Sequence, residues 1–502
     1  MTATTPSRQD STETKVSYPG RPILNSGVAP LFINGKWVSA LAGGSRAVHD
    51  PSTGAEIGYV GEGTSADVSA AVQAARIAFD TGPWPRMSAR ERGRVLLRAA
   101  QIMRERSDEL ARLESLDTGK PMMFSGPLDV TTATEIIEYY GSLAATIEGS
   151  VRSTSAAVFG YTLKRPIGVV AAITPFNFPL ILSATKIGPA LAAGNTLVHK
   201  PAEDTPLTAR LIAEICAEAG LPDGVLNVVT GGAEPGEALV RDPRVDKVAF
   251  TGSTAVGRRI TEAAAASLKH VTVELGGKGA NIVFADADFE TAVKSAINGF
   301  VFNTGQFCMA GSRLLVERSV YHEVVDAIAG ALPHIPVGDP FDDTTVIGPM
   351  AGARHRDKVM SYINSAKAAG QQVITGATSS SESGYFVTPT VVANVDQRSP
   401  LVQEEIFGPV MTVQAFDTES EAIALADDTI YGLAAGLQTS DVTRAHRVAD
   451  QLQAGLVWVN TWGLLDAAVP FGGVKQSGYG RECGPEALAE YQHTKSVLIA
   501  NS

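Results

Sequence analysis

Two α/β domains, each a largely parallel sheet layered between helices, are what this sequence predicts. Three features lead there. The chain has 502 residues, more than one hydrophobic core usually supports. Short β-branched runs alternate with helical patterns over residues 167–268. A second alternation begins after Lys278 and continues to Phe471-Gly472-Gly473. Such alternation implies right-handed crossovers and sheets covered on both faces.

In chain order, residues 1–30 are rich in Ser, Thr and Pro and are expected as a disordered tail. Residues 31–38 read as a hairpin turning at Asn34-Gly35. Helical spacing of apolar residues predicts amphipathic helices over 65–79 and 88–113. Residues 150–164 alternate weakly. A strand over 167–174 runs through a Pro/Asn turn into a helix over 182–193, and a strand over 195–200 precedes a helix over 205–220. Strands follow at 225–229 and 247–250, the latter entering Gly252-Ser253-Thr254 and a helix to about residue 268. The second block offers a strand at 280–284, a helix at 289–303 and a strand at 313–316, and 496–499 closes the chain as a strand. Glu274 and Cys308 fall between the blocks, so a cleft between two domains is expected to hold the site.

Composition excludes several classes. The formal charge is 41 minus 53, or −12, with no Lys/Arg cluster, which argues against nucleic acid. The three cysteines, Cys216, Cys308 and Cys483, are too few for a disulfide framework and suit a reducing, cytoplasmic setting. No apolar run approaches the roughly 18 residues of a membrane helix. The first residues lack a signal peptide's apolar core, and Asp10 and Glu13 argue against a transit peptide. No His/Cys/Asp cluster has metal-ligand spacing, so no metal is expected.

Three short motifs carry the chemistry. Cys308 ends Phe302-Asn303-Thr304-Gly305-Gln306-Phe307-Cys308, Glu274 opens Glu274-Leu275-Gly276-Gly277-Lys278, and Asn177 centres Pro175-Phe176-Asn177-Phe178-Pro179. A thiol, a carboxylate base and a side-chain amide donor suit attack by sulfur on a carbonyl carbon. None of the eight histidines stands in a recognisable pairing with Cys308. A free thiol near pKa ~8.5 is only a few per cent ionised at neutral pH, so activation must come from elsewhere. Cys216 reads as a core residue and Cys483 as a bystander. Ser183-Ala184-Thr185-Lys186 fits a Ser-x-x-Lys pattern without its companion motifs. Gly276-Gly277-Lys278-Gly279 lacks the Ser/Thr of a phosphate loop.

These motifs, in the order Asn, Glu, Cys, resemble the aldehyde dehydrogenase superfamily, and the resemblance runs from about residue 31 to about residue 499. It implies a Rossmann-like NAD-binding domain over 31–145 and 166–274 and a catalytic domain over 275–484. It also implies oligomerisation strands over 146–165 and 485–502 that pair across the subunits of a homodimer or homotetramer. The implied reaction oxidises an aldehyde to the acid with NAD through a Cys308 thiohemiacetal and thioester, which water activated by Glu274 hydrolyses. Lys186 matches a family lysine that orders the site near Asn177, and reads equally well as an exposed helix lysine.

At the cofactor end, Gly252 permits a sharp turn, and Ser253 with the helix amides can hold a pyrophosphate. The turn departs from Gly-x-Gly-x-x-Gly, and a plain Ser-capped helix is the competing reading. The resemblance gives Lys200 and Glu203 the adenine ribose. A carboxylate there repels a 2′-phosphate, favouring NAD over NADP. It gives Glu405 and Phe407 the nicotinamide ribose and ring, where sequence alone reads a surface acidic pair and a core Phe. Ile173, Thr174, Phe176, Gly232, Val256 and Leu275 complete that set.

By family position the substrate tunnel takes Tyr140, Phe176, Leu182, Thr185, Phe302, Trp462, Leu465 and Phe471. Most are apolar, which fits an uncharged aliphatic or aromatic aldehyde. The stretch from Trp458 to Gly463 also resembles betaine aldehyde dehydrogenases, where rings hold a trimethylammonium group. Tyr140 would add a second ring, but Thr185 stands where those enzymes usually carry Trp. Two further alternatives are a coenzyme A-acylating enzyme, which has no use for Glu274, and a catalytically silent homologue, against which the intact trio argues.

Overall fold

The computed structural model describes residues 27–376 and 383–500, so most of the expected tail lies outside the described residues. The first sheet runs in the order Gly478–Tyr479, His270–Glu274, Lys247–Thr251, Val169–Ile173, Thr196–Lys200, Leu226–Val228, Leu31–Ile33, Lys36–Val38. Its five central strands are parallel, and antiparallel partners close both edges. Every residue of Val169–Ile173, Thr196–Lys200 and Lys247–Thr251 is buried, as helices on both faces require. The edge hairpin turns at Asn34 (φ 54°) and Gly35 (φ 72°), the two positive φ values of a tight two-residue turn.

The second sheet orders Gln372–Thr375, Thr390–Ala393, Val410–Phe416, Arg313–Glu317, Ala280–Val283, Ala434–Gln438 and Leu456–Val459, all parallel apart from the first pairing. Gly478–Tyr479, expected within the second block, is an edge strand of the first sheet instead.

Differences from expectation have local causes. The helix expected over 88–113 is two, Ala89–Glu105 and Ser107–Thr118, parted at Arg106 (φ −104°, ψ 23°). The Arg106 guanidinium bridges Glu109 and Glu214 there. Pro179–Ala193 starts earlier than expected because proline fits a first helical turn, and it ends at Gly194 (φ 99°). A three-stranded sheet of Val28–Ala29, Glu56–Gly61 and Ser45–His49 was not foreseen, and it takes two residues from the expected tail. Val151–Arg152, Val158–Pro166 and Gln492–Ala500 form a small antiparallel sheet within the chain, so the two pieces expected to pair across subunits pair with each other. Residues 485–490 belong instead to the helix Gly484–Glu490, which Pro485 starts.

The parallel strands ending at Ile173, Lys200, Val228, Thr251 and Glu274 place their carboxyl ends along one edge. Ligands of open α/β sheets bind along such an edge. From Glu274 the chain passes directly into Ala280–Val283 of the second sheet, so this carboxylate stands at the crossing between them.

Candidate active site

A cavity of about 1170 Å³ occupies this edge, with Cys308 and Asn177 toward one end and Lys200 and Glu203 toward the other. Cys308 follows the helix Phe289–Val301 on an unusual turn. Asn303 (φ 49°), Thr304 (φ 55°) and Gly305 (φ 69°) are successively left-handed, which ends the helix short of residue 303. Two non-glycine residues in that region cost free energy that their surroundings must offset. Asn303 Nδ2 donates to the carbonyls of Asn177 (3.0 Å) and Gln306 (3.1 Å), Thr304 Oγ1 donates to Gly348 O (2.9 Å), and the Ala351 N–H donates to Gln306 Oε1 (2.9 Å). Asn177 Nδ2 donates to Gln306 O at 3.0 Å, so the amide is oriented by the loop that carries the thiol. The Asn177 amide and the loop that carries Cys308 are thereby one hydrogen-bonded unit.

The half-buried Cys308 thiol is pushed above the ordinary thiol range, first by burial and then by the Glu405, Glu274 and Glu482 carboxylates. Glu274 is buried, with neither carboxylate oxygen in a hydrogen bond. Burial, reinforced by Glu482, holds it well above the usual carboxylate range. Lys186, Arg481 and the Gly473 amide oppose that shift without meeting hydrogen-bond geometry at either oxygen. A carboxyl raised this way is a stronger base, once ionised, than an exposed one.

Behind Glu274, Lys186 is fully buried, which excludes the exposed-lysine reading. Its Nζ pairs with Glu482 Oε1 and donates to Thr251 Oγ1 at 2.7 Å. Sequence reasoning missed Glu482. The available signal was its setting, Gly480-Arg481-Glu482-Cys483-Gly484, because Cys483 (φ 56°, ψ 172°) and Gly484 (φ 63°) adopt backbone that glycine favours.

At the far end, Lys200 Nζ lies 3.9 Å from Glu203. Gly252 donates its N–H to Glu274 O at 3.0 Å, tying the turn to the catalytic strand. Ser253 caps Thr254–Ala265, accepting from the Val256 N–H at 3.4 Å. Ile173, Thr174, Gly232, Val256 and Leu275 line the same cavity, as do Glu405, Phe407 and Phe176. Glu405 accepts from the Gly277 N–H at 3.0 Å. His355, also missed from sequence, sits against Phe176 and Phe407 at ring distances of 5.2 and 5.5 Å. Its Nε2 is 2.6 Å from Phe407 O, and burial brings its pKa down to about 4. A dinucleotide fits this set: a capped helix N-terminus mid-cavity, hydroxyl-binding Lys and Glu at one end, and an acidic and aromatic group near the thiol.

Leu182, Thr185, Phe302, Leu465 and Phe471 line the cavity near Cys308. Tyr140 and Trp462 do not. Tyr140 is fully buried and its hydroxyl donates to Gly484 O at 3.0 Å. Trp462 Nε1 donates to Met309 O at 3.0 Å, and its ring packs where Gly279, Gly299, Gly311 and Gly436 leave room. Phe178 and Phe307, absent from the expected set, take their place, with Phe178 to Phe302 at 5.9 Å and Phe302 to Phe307 at 5.4 Å.

Comparison with known proteins shows the family. The aldehyde dehydrogenase family matches residues 37–497. Aldehyde dehydrogenase family 2 member C4 of Arabidopsis thaliana is 44% identical, over 93% of this chain and 94% of that protein. The betaine aldehyde dehydrogenase of Vibrio vulnificus is 42% identical, over 94% and 98%. The NAD+ complex of a Bacillus cereus aldehyde dehydrogenase superposes with a TM-score of 0.94 at 43% identity, covering 95% of this chain and 97% of that one. The chain belongs to the aldehyde dehydrogenase family, and its reaction class is NAD-dependent oxidation of an aldehyde.

Proposed function

We propose that the protein oxidises an uncharged, apolar aldehyde to its acid, with NAD preferred to NADP. The convergence of Cys308, Asn177 and an apolar, ring-lined pocket carries this reading. Leu128, Ile181, Leu182, Leu465 and Phe471 offer hydrocarbon contact, and no Lys or Arg stands among them for an anionic substrate. Residues 31–145 with 166–274 act as the cofactor domain and 275–484 as the catalytic domain, apart from the edge strand Gly478–Tyr479, which joins the first sheet.

Cys308 Sγ adds to the carbonyl carbon, and the oxyanion takes hydrogen bonds from Asn177 Nδ2 and the Cys308 N–H. One such donor is worth roughly 2.7–4 kcal/mol in comparable sites. Lys200, Glu203, Ser253 and Glu405 would hold NAD, which would supply the hydride acceptor. Glu274 accepts the proton of the water that cleaves the thioester, and the Lys186–Glu482 pair sets the field around it.

The exposed Val151, Phe159, Leu498 and Ile499 of the small sheet suit pairing with a second copy, giving a homodimer or homotetramer. No helix among the described residues is long and apolar enough to cross a membrane, and a cytoplasmic setting fits three unpaired cysteines. The rings of Phe178, Phe302, Phe307 and Phe471 favour a second reading, a trimethylammonium aldehyde, although Lys120 Nζ already lies 3.8 Å over the Phe178 ring.

An NADH absorbance assay over aliphatic, aromatic and trimethylammonium aldehydes, with and without coenzyme A, tests the whole reading. Preferred turnover of a charged aldehyde, or an absolute need for coenzyme A, would overturn it.

A further inference from the structure

The three-stranded sheet beside the cofactor end carries a charge pair that the reaction does not use. Arg46, on Ser45–His49, forms a two-pronged ion pair with Glu62, just past Glu56–Gly61. Nε lies 2.6 Å from Oε2 and Nη2 lies 2.8 Å from Oε1. The same Oε1 accepts from the Gly232 N–H at 3.0 Å. Gly232 lines the cavity with Lys200 and Glu203, and a Cβ on it would come within 2.9 Å of Arg46 Nη2. The guanidinium therefore lies against the Gly232 backbone of the cavity wall, with its Nε and Nη2 edge bound to Glu62.

The charges here are coupled. Arg46 is held above its ordinary range by its bond to Glu62, against burial, with Glu203 and Asp204 contributing. Glu62 is held below the usual carboxylate range by Arg46, against burial, with Gly232 and Lys200 adding to the effect. Glu62, Glu203 and Asp204 stand here against Arg46, Lys200 and Arg354, so carboxylates offset the cations at this end.

We propose that Glu62, acting through Arg46, is a second determinant of cofactor choice: it neutralises a guanidinium placed to receive the 2′-phosphate of NADP. The inference rests on reading this end of the cavity as the adenine-ribose site. A phosphomonoester carries roughly −1.5 to −2 charge at neutral pH, and a guanidinium fork matches its oxygens. With Glu62 in place, a carboxylate occupies the Nε/Nη2 fork and cancels the charge that would attract the phosphate. Without that charge, Arg46 and the Gly232 N–H become available together.

The test uses calorimetry on the full chain with 2′-AMP and, as matched control, 5′-AMP. In Glu62→Gln, affinity for 2′-AMP relative to 5′-AMP rises about tenfold, the scale of one unit charge at a partly exposed site. The gain shrinks as salt is raised. NADP gains on NAD in kcat/KM in the same variant, and Glu62→Ala provides a second charge-removing change should Glu62→Gln fold poorly. In Glu62→Gln/Arg46→Met the gain disappears. An unchanged nucleotide ratio in both Glu62 variants overturns the proposal, and so does a gain that survives loss of Arg46. Failure of the unaltered chain to bind 5′-AMP or NAD would overturn the cofactor reading itself, and this inference with it.

Discussion

Lys186 and Glu482 meet in a buried ion pair directly behind Glu274, joining the helix Pro179–Ala193 to the loop preceding Gly484–Glu490. The two partners act on Glu274 with opposite sign: the Glu482 carboxylate raises its pKa and the Lys186 ammonium lowers it. The Glu482 effect is the larger, so the pair leaves the base raised and the site acid-sensitive.

Glu482→Gln should therefore move the acid limb of the kcat profile to lower pH. Glu274 must be ionised to accept a proton, and removing the nearby carboxylate lowers the pH at which it ionises. The amide can still accept from Lys186, so the loss of stability should stay under the roughly 3–5 kcal/mol of a broken buried pair. A pH–rate profile and a thermal melt read both effects. An acid limb that stays in place would show that Glu482 does not act on the base.

The thiol gives a second pH test. Burial and three carboxylates hold Cys308 above the ordinary thiol range. Its alkylation by iodoacetamide in the free enzyme should keep rising about tenfold per pH unit past ~8.5, where an unperturbed thiol begins to level off. Saturating NAD should bring the plateau to lower pH, because the nicotinamide adds positive charge beside the sulfur. Cys308→Ala should abolish oxidation yet bind NAD within a few-fold. A plateau below pH 8.5 without NAD would contradict the carboxylate field.

How much of this was legible in the sequence depends on where the information sits. Cys308, Glu274 and Asn177 stand in local motifs, and the parallel sheets follow from short, fully buried strands alternating with helices. Glu482 has no such marker: it reaches the site from a loop brought in by pairing of Phe471 with Glu482, which local sequence does not encode. Tyr140 and Trp462 misled for a related reason. Their rings suggested a binding wall, but Tyr140 is buried over Gly188 and Trp462 fills space left by four glycines on separate segments. The sheet of Glu56–Gly61 and Ser45–His49 was missed because its strands are only partly buried and lack strict alternation.

Glu203 should set cofactor choice through its charge. Its carboxylate stands at the cavity end beside Lys200, where a 2′-phosphate would meet it. Glu203→Gln should narrow the NAD-to-NADP gap in kcat/KM. Steady-state kinetics with both cofactors decide the matter, and an unchanged ratio would move Glu203 away from the 2′ position.

Glu274→Gln separates the two halves of the reaction. The amide fills nearly the same volume but cannot accept the proton of the attacking water. If Glu274 serves deacylation, the variant still acylates and passes one hydride. Stopped-flow mixing then shows an NADH burst approaching one equivalent per active subunit, followed by a steady state slowed about 10²–10⁴-fold, the usual worth of a positioned base. If Glu274 mainly deprotonates Cys308, the burst itself is slow and an external thiol acceptor rescues nothing. The raised pKa of Glu274 adds a control, since in the unaltered enzyme the slow phase should speed up with pH as the carboxyl ionises. That pH dependence should vanish from the slow phase of Glu274→Gln, where no carboxyl remains to titrate. A slow phase that keeps the full pH dependence would assign the base to another group.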